Sequence, residues 1–107
     1  MAETLTCVTF VTIGELVRWM RLHGLGSHRR QGVDNWLTEV TRLPDDEEVA
    51  QTWGELSAAA TERGRSRPPN DTWIAACCLV EGLPLATGNV KDFADFAQYH
   101  GLHLITD

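Results

Sequence analysis

Residues 82–93 read Gly-Leu-Pro-Leu-Ala-Thr-Gly-Asn-Val-Lys-Asp-Phe, a short apolar stretch followed by a turn and the start of a helix. The apolar run 83–87 predicts a strand, and Gly88-Asn89 predicts the turn that follows it. Residues from 90 to about 99 predict a short helix, and the apolar run 102–105 predicts another strand. A helix that joins two short apolar strands is typical of a parallel sheet covered by helices.

The chain before this stretch extends the same pattern. Residues 5–11 are rich in threonine and β-branched residues, which predicts a strand. Thr12 to Glu15 has the pattern of a capping box that opens a first helix. Further helices are predicted from Ser27, from Asp45 and from Asn70-Asp71, with a short extended stretch over 41–43 and a loop over 64–69. The order predicts an α/β protein with a parallel sheet flanked by helices, forming a single domain over residues 1–107.

The composition is that of an ordinary globular protein. Of 107 residues, 43% are hydrophobic and 22% are charged, which excludes a disordered tail or a collagen-like repeat. The longest apolar runs are shorter than the roughly 20 residues that a membrane helix needs, and no secretory signal is evident. Three cysteines without a C-x-x-C pair indicate reduced thiols. We therefore expect no membrane association and a cytoplasmic location.

Acidic side chains follow or precede the predicted strands at informative positions. Glu15 comes soon after the first strand, Asp71 opens the helix before the second, and Asn89 and Asp92 follow the second within one turn. Ligands of parallel sheets collect at the carboxyl ends of the strands. Clustered carboxylates repel one another and need a compensating cation, and oxygen ligands favour Mg²⁺ or Mn²⁺ over zinc. Such an ion can orient a water against a phosphodiester.

Each of these residues also has a purely structural interpretation. Glu15 can serve as the capping-box partner of Thr12, and Asp71 and Asp92 can complement the positive end of a helix dipole. Asn89 can be only a turn residue. The spacing by itself does not show that the four side chains meet.

Three motifs in order resemble the PIN domain, and most closely the VapC-type ribonuclease toxins of bacterial toxin–antitoxin pairs. They are Val-Thr-Ile-Gly-Glu-Leu at 11–16, Arg-Pro-Pro-Asn-Asp-Thr-Trp-Ile-Ala-Ala at 67–76 and Leu-Ala-Thr-Gly-Asn-Val-Lys-Asp-Phe at 85–93. The resemblance covers nearly the whole chain, and the three motifs are specific only together.

The resemblance implies roles for individual residues. Glu15 matches the family's second acidic position and Asp71 its third, and Asn89 matches the fourth, where the family uses Asp or Asn. Asp92 is a further acid nearby, taken with Asp71 and Glu15 as a metal ligand, and Thr87 matches a supporting hydroxyl position. All four acidic or amide side chains, Glu15, Asp71, Asn89 and Asp92, are thereby implied to be catalytic. The family is implied to cleave RNA with Mg²⁺ or Mn²⁺, to form homodimers and to be silenced by a cognate antitoxin.

One element of the family pattern is missing from the sequence. PIN domains normally begin with a strand of the form Leu-Asp-Thr-Asn, which supplies the first metal ligand, and here the chain starts almost directly at the second strand. The sequence is thus expected to be N-terminally truncated. Three explanations stay open: an internal start methionine, a truncated relic, or a gap closed by sheet rearrangement or by a partner's strand.

Two functions from different classes follow. The first is a metal-dependent endoribonuclease toxin of a type II pair, with Arg65 and Arg67 contacting RNA phosphates. The second is a catalytically inactive PIN-like protein that binds an antitoxin or another partner, which the missing Asp favours. The four tryptophans, 19, 36, 53 and 73, fall on apolar helix faces and are expected to pack in the core or a dimer interface, while base stacking by Trp73 is an alternative.

Overall fold

The computed structural model describes residues 7–105. Its contacts divide the chain into two compact units, an N-terminal unit of residues 1–43 and a C-terminal unit of residues 44–107. The elements follow one another in the order β1, α1, α2, β2 in the first unit and α3, α4, β3, α5, β4 in the second. No helix within 7–105 is long and apolar enough to span a lipid bilayer.

The N-terminal unit consists of two helices between two paired strands. Strand β1 (Cys7–Val8) pairs in parallel with β2 (Thr41–Arg42), and the two are connected by α1 (Phe10–Leu22) and α2 (Ser27–Glu39). Among residues 7–43, the buried apolar side chains are Val8, Val11, Met20 and Leu37. The helical connection between parallel strands agrees with the prediction.

Helix α1 begins one turn earlier than predicted. Thr9 is its N-cap, and the Thr9 hydroxyl accepts a hydrogen bond of 3.0 Å from the backbone N–H of Thr12. The predicted strand over 5–11 is therefore wrong at its end, since Val11 belongs to the helix and is buried there. Burial of Val11 outweighs the strand preference of a β-branched residue. The part of the prediction over residues 5–6 lies outside the described residues.

The C-terminal unit begins with two helices that pack together. Helix α3 (Glu47–Glu62) lies against α4 (Pro69–Glu81), and Ala60, Ala75 and Ala76 are fully buried. The N-cap of α3 is Asp46, whose Oδ1 accepts the N–H of Val49 at 3.1 Å, so the predicted cap at Asp45 was one residue early. Helix α2 likewise has Gly26 as its N-cap in place of the predicted Ser27.

The second strand pair encloses the last helix. Strand β3 (Leu85–Ala86) pairs in parallel with β4 (Leu104–Ile105), and α5 (Val90–His100) connects them. Both strands are shorter than predicted. Gly82 and Gly101 end α4 and α5 with φ of +66° and +76°, a conformation that favours glycine. Phe93 and Phe96 of α5 and Leu102 complete the buried core of this unit.

Candidate metal centre

Asp71 lies in the first turn of α4, where a pair of prolines sets the start of the helix. Pro68 is the N-cap residue and Pro69 the first helical residue, a position where a missing N–H costs nothing. Thr72, which directly follows Asp71, is buried, and its hydroxyl donates to the carbonyl of Pro68 at 2.8 Å. This packing leaves Asp71 half-buried at the rim of the core, at the positive end of the helix dipole.

The pKa of Asp71 is raised above its ordinary value. Burial is the largest cause, the charge of Asp92 is the second, and the Arg67 guanidinium acts in the opposite direction. Two carboxylates from different helices, α4 and α5, are therefore within electrostatic reach of each other. Like charges at such a site favour a bound cation or a proton.

Asp92 is positioned by the turn that follows β3. The backbone N–H of Thr87 donates to the carbonyl of Ile105 at 3.3 Å, which continues the pairing of β3 with β4. The Thr87 hydroxyl then accepts the N–H of Asn89 at 2.9 Å, and the N–H of Asp92 donates to the Asn89 carbonyl at 3.0 Å. Thr87 thus orders the turn from which α5 starts.

Asn89 is the N-cap residue of α5, but its side chain makes no capping hydrogen bond. A capping asparagine normally accepts an N–H of the first turn with its side-chain oxygen. Both Asn89 and Asp92 are exposed. The amide oxygen of Asn89 therefore makes no capping bond. Asn89 lies three residues before Asp92, whose charge helps to raise the pKa of Asp71.

Glu15 lies in the N-terminal unit, on the exposed part of α1. It falls in the second turn, and the first turn of α1 holds no acidic residue. Because the N-cap is Thr9, Thr12 does not cap the helix and the predicted capping box of Thr12 and Glu15 is wrong. The structural alternative for Glu15 therefore loses its basis.

The acidic pair fits a hard divalent cation. Over residues 7–105 there is no group of three or more His, Cys, Asp or Glu side chains placed to hold a metal ion. Mg²⁺, however, commonly binds through one or two carboxylates and keeps several waters. Asp71 and Asp92 supply two carboxylates whose repulsion such an ion would relieve, and Asn89 supplies a neutral oxygen nearby in sequence.

The two arginines before α4 have different surroundings. Arg65 Nε lies 3.5 Å from Asp95 Oδ2, and the Arg65 side chain is 60% exposed. Arg67 is half-buried and acts electrostatically on Asp71, and its Nε has no hydrogen-bond partner among the described residues. Both cations thus lie on the segment that leads into the acidic site.

Asp95 was missed by the sequence analysis. Its side chain is only 6% exposed, and it follows Asp92 by three residues, close to one helical turn. The signal available in the sequence was the Asp-x-x-Asp spacing, which puts two acids on adjacent positions of one helix face. An aspartate among the phenylalanines of α5 was also an unusual core residue.

A second charged group missed earlier involves Arg63. Its guanidinium lies 4.2 Å from the centre of the Tyr99 ring, and Arg63 Nη1 donates to His100 Nε2 at 3.2 Å. Because a guanidinium can only donate, Nε2 of His100 is the acceptor in this bond and carries no proton. Burial, and then the charge of Arg63, lower the pKa of His100.

The tryptophans divide into two pairs. Trp53 stacks on Trp73 with ring centroids 5.1 Å apart, and Trp53 Nε1 donates to the Pro69 carbonyl at 3.2 Å. This pair supports the start of α4. Trp19 and Trp36 in the N-terminal unit are 49% and 44% exposed, so the prediction of core packing is wrong for them and an interface role stays open.

Comparison with known proteins gives the family of this fold. The family model of the PIN domain matches residues 2–99. The chain belongs to the PIN domain family. The membership that the three sequence motifs predicted is thereby confirmed.

The relatives of this PIN domain are VapC proteins. It is 36% identical over 58 residues to Ribonuclease VapC5 of Mycobacterium tuberculosis, which covers 54% of this chain and 42% of the relative. Ribonuclease VapC2 of Haemophilus influenzae is 26% identical over 87 residues, covering 81% of this chain and 66% of the relative. The PIN domain therefore spans about two-fifths to two-thirds of the length of these curated relatives.

A solved structure supports the same assignment. The crystal structure of VapBC-5 from Mycobacterium tuberculosis, a member of the VapBC family of toxin–antitoxin systems, superposes with a TM-score of 0.76. The sequence identity is 29%, over 92% of this chain and 79% of that chain. The predicted α/β class and the VapC-type PIN resemblance are both confirmed.

Proposed function

We propose that this PIN domain is a metal-dependent endoribonuclease, the toxin of a type II toxin–antitoxin pair. The observation that carries the proposal is the placement of Asp71 in the first turn of α4 and of Asp92 in the first turn of α5, where the charge of Asp92 helps to raise the pKa of Asp71. Two matched relatives are named ribonucleases, and the matched structure belongs to a toxin–antitoxin family. These names suggest the reaction, and the acidic pair supplies groups suited to it.

In this proposal, Asp71 and Asp92 hold Mg²⁺ or Mn²⁺, and Asn89 contributes an amide oxygen. Glu15 of the N-terminal unit stays a metal ligand predicted from the sequence motif alone. A bound divalent ion would supply charge neutralisation at the phosphate and a more acidic water. Asp92 would help to place the ion and its water beside the phosphate, and its position depends on the turn that Thr87 orders. Arg67 and the exposed guanidinium of Arg65 would bind neighbouring RNA phosphates.

Metal binding and RNA cleavage by Asp71→Asn test this proposal. The variant should lose Mn²⁺ binding in calorimetry and lose Mg²⁺-dependent cleavage of a structured RNA, because one of two carboxylate ligands is gone. Asp34→Asn is the matched control, since Asp34 is an exposed acid of α2. Equal Mn²⁺ affinity in the wild type and Asp71→Asn would exclude the assigned site.

A partner-binding function has its own support in the N-terminal unit. An apolar groove of about 660 Å³ lies between α1 and α2, and both exposed tryptophans line it. Its residues are Thr12, Leu16, Trp19, Leu25, Arg29, Gly32, Val33 and Trp36. Large exposed apolar patches often mark protein interaction sites, and Arg29 is the charged residue in the lining of this groove. We therefore infer that an antitoxin segment with apolar and acidic residues binds there, either to silence the nuclease or as the chain's sole function.

The two functions give different responses to metal. Mg²⁺ should stabilise a nuclease and raise its melting temperature. At a hundredfold excess of Mg²⁺ over its dissociation constant, the free energy of unfolding should increase by about 2.7 kcal/mol. A pure binding module should show no such shift. Trp36→Ala should weaken antitoxin binding in both cases and leave the metal response unchanged. We also propose a homodimer, as the family resemblance implies, and a cytoplasmic location, as the composition suggests.

A further inference from the structure

The loop between α3 and α4 is tied to the end of α3 through its backbone. Gly64 adopts φ of +74°, and its N–H donates to the Thr61 carbonyl at 2.9 Å. The N–H of Arg65 donates to the Ala60 carbonyl at 2.9 Å. These two bonds form a Schellman-type helix end, which fixes where the Arg65 side chain starts.

The same loop is tied to α5 through a side chain. Arg65 Nε lies 3.5 Å from Asp95 Oδ2, and Asp95 is 6% exposed against 60% for Arg65. Among residues 7–105, Arg65 is the cationic side chain within ion-pair distance of this carboxylate. Asp95 Oδ2 is buried and accepts no hydrogen bond from the described residues, so the Arg65 cation is what compensates its charge. Asp95 therefore holds the Arg65 side chain close to α5, and the loop that carries Arg65 is held there with it.

The pair joins the two segments that carry the acidic site. Arg65 precedes Asp71 by a short loop that also contains Arg67, and Asp95 follows Asp92 on α5. We propose that Arg65 and Asp95 are positioning residues that set the separation of Asp71 from Asp92 and so tune the affinity of the site for a divalent ion. This inference rests on the proposed function for its metal, and on the ion pair for its mechanism.

The first measurement needs no metal. Amide hydrogen exchange over residues 64–72 should rise about tenfold in Arg65→Gln and in Asp95→Asn, because the loop loses its tie to α5. Arg65→Lys keeps a cation and should restore most of the protection. Arg18→Gln, which changes an exposed arginine of α1, is the matched control and should leave this segment unchanged.

The second measurement is Mn²⁺ titration of the same variants. Arg65→Gln should weaken Mn²⁺ binding about tenfold, the usual effect of removing a group that orients a ligand, and Arg65→Lys should recover it. A role confined to RNA contact would instead lower the salt dependence of RNA binding and leave the Mn²⁺ affinity unchanged.

The outcomes separate this inference from the proposed function. Unchanged exchange in both Arg65→Gln and Asp95→Asn, or faster exchange with unchanged Mn²⁺ affinity, overturns the positioning role and leaves the acidic pair as the metal site. A wild-type protein that binds no Mn²⁺ overturns the metal site itself, and the positioning role with it. Faster exchange together with weaker Mn²⁺ binding, both recovered by lysine, supports the inference.

Discussion

Asp92 on α5 raises the pKa of Asp71 on α4, so the first turns of two consecutive helices place like charges near each other. Burial of Asp71 contributes more to this shift than the charge of Asp92 does. A sequence selected for stability alone would not place two carboxylates within electrostatic reach of each other. The cost is understandable if a cation neutralises the pair.

Neutralising Asp71 should stabilise the metal-free protein. Its pKa in the folded state is raised, so the folded chain binds more protons than the unfolded chain, and stability falls as pH rises from the unfolded value of about 4 through the folded one. Asp71→Asn should therefore increase the free energy of unfolding at pH 7, by less than about 0.5 kcal/mol because solvent screens the site. Chemical denaturation in chelator measures this, and a destabilised variant would contradict it.

Lowering the pH should destabilise the contact between Arg63 and His100. The pKa of His100 is lowered in the folded state, so the unfolded chain binds more protons as pH drops below about 6.5. This contribution to stability is complete above that value and declines below it. His100→Gln should flatten the loss of stability in that range, in melting temperatures recorded from pH 7.5 to 5. His28→Gln, an exposed site in α2, is the control and should leave the slope unchanged.

Removing the cap of α1 should destabilise the protein more than removing the hydroxyl it contacts. Thr9 accepts the Thr12 N–H and is itself buried, so Thr9→Ala should cost about 1 kcal/mol. Thr12→Val removes the hydroxyl that lies 3.0 Å from the Thr9 hydroxyl and should cost less, because the capping bond to the backbone N–H remains. Urea denaturation of both variants measures the difference. Equal losses in the free energy of unfolding would contradict the assignment of Thr9 as the N-cap of α1.

Cys77 should resist alkylation in the folded protein. Burial, and then the nearby charge of Asp45, raise the pKa of this thiol to about 11, and its Sγ donates to the Pro44 carbonyl at 3.9 Å. The thiolate that reacts is therefore scarce at pH 8. Mass spectrometry after iodoacetamide treatment should show Cys7, which is half-buried, modified before Cys77. The reverse order would contradict this.

The sequence predicted the fold class because local signals agreed along the second half of the chain. The Gly82 helix end, the Gly88-Asn89 turn and the apolar run before it all indicated α4, β3 and α5, which the structure contains. The start of α1 was misplaced because Val11 has a strand preference, whereas its burial in the helix decides its state. Residue preferences cannot anticipate burial that depends on distant contacts.

The charged pair of Arg65 and Asp95 was beyond the reach of the sequence for a related reason. Arg65 is one of two arginines in the loop over 64–69, and nothing local distinguishes a solvated arginine from one that pairs with a buried acid. Asp95 showed only that a core helix contained an acid. The pairing depends on how the loop after α3 approaches α5, which is a property of the folded chain.

Helices α4 and α5 are consecutive, with only β3 and two short turns between them. Because the entropy lost in closing a loop grows slowly with its length, bringing Asp71 close to Asp92 costs the chain little conformational freedom. The two carboxylates that repel each other therefore belong to one continuous segment, which runs from α4 through β3 to α5. A divalent ion captured there would favour docking of neighbouring helices early, and folding rates measured with and without Mg²⁺ would then differ.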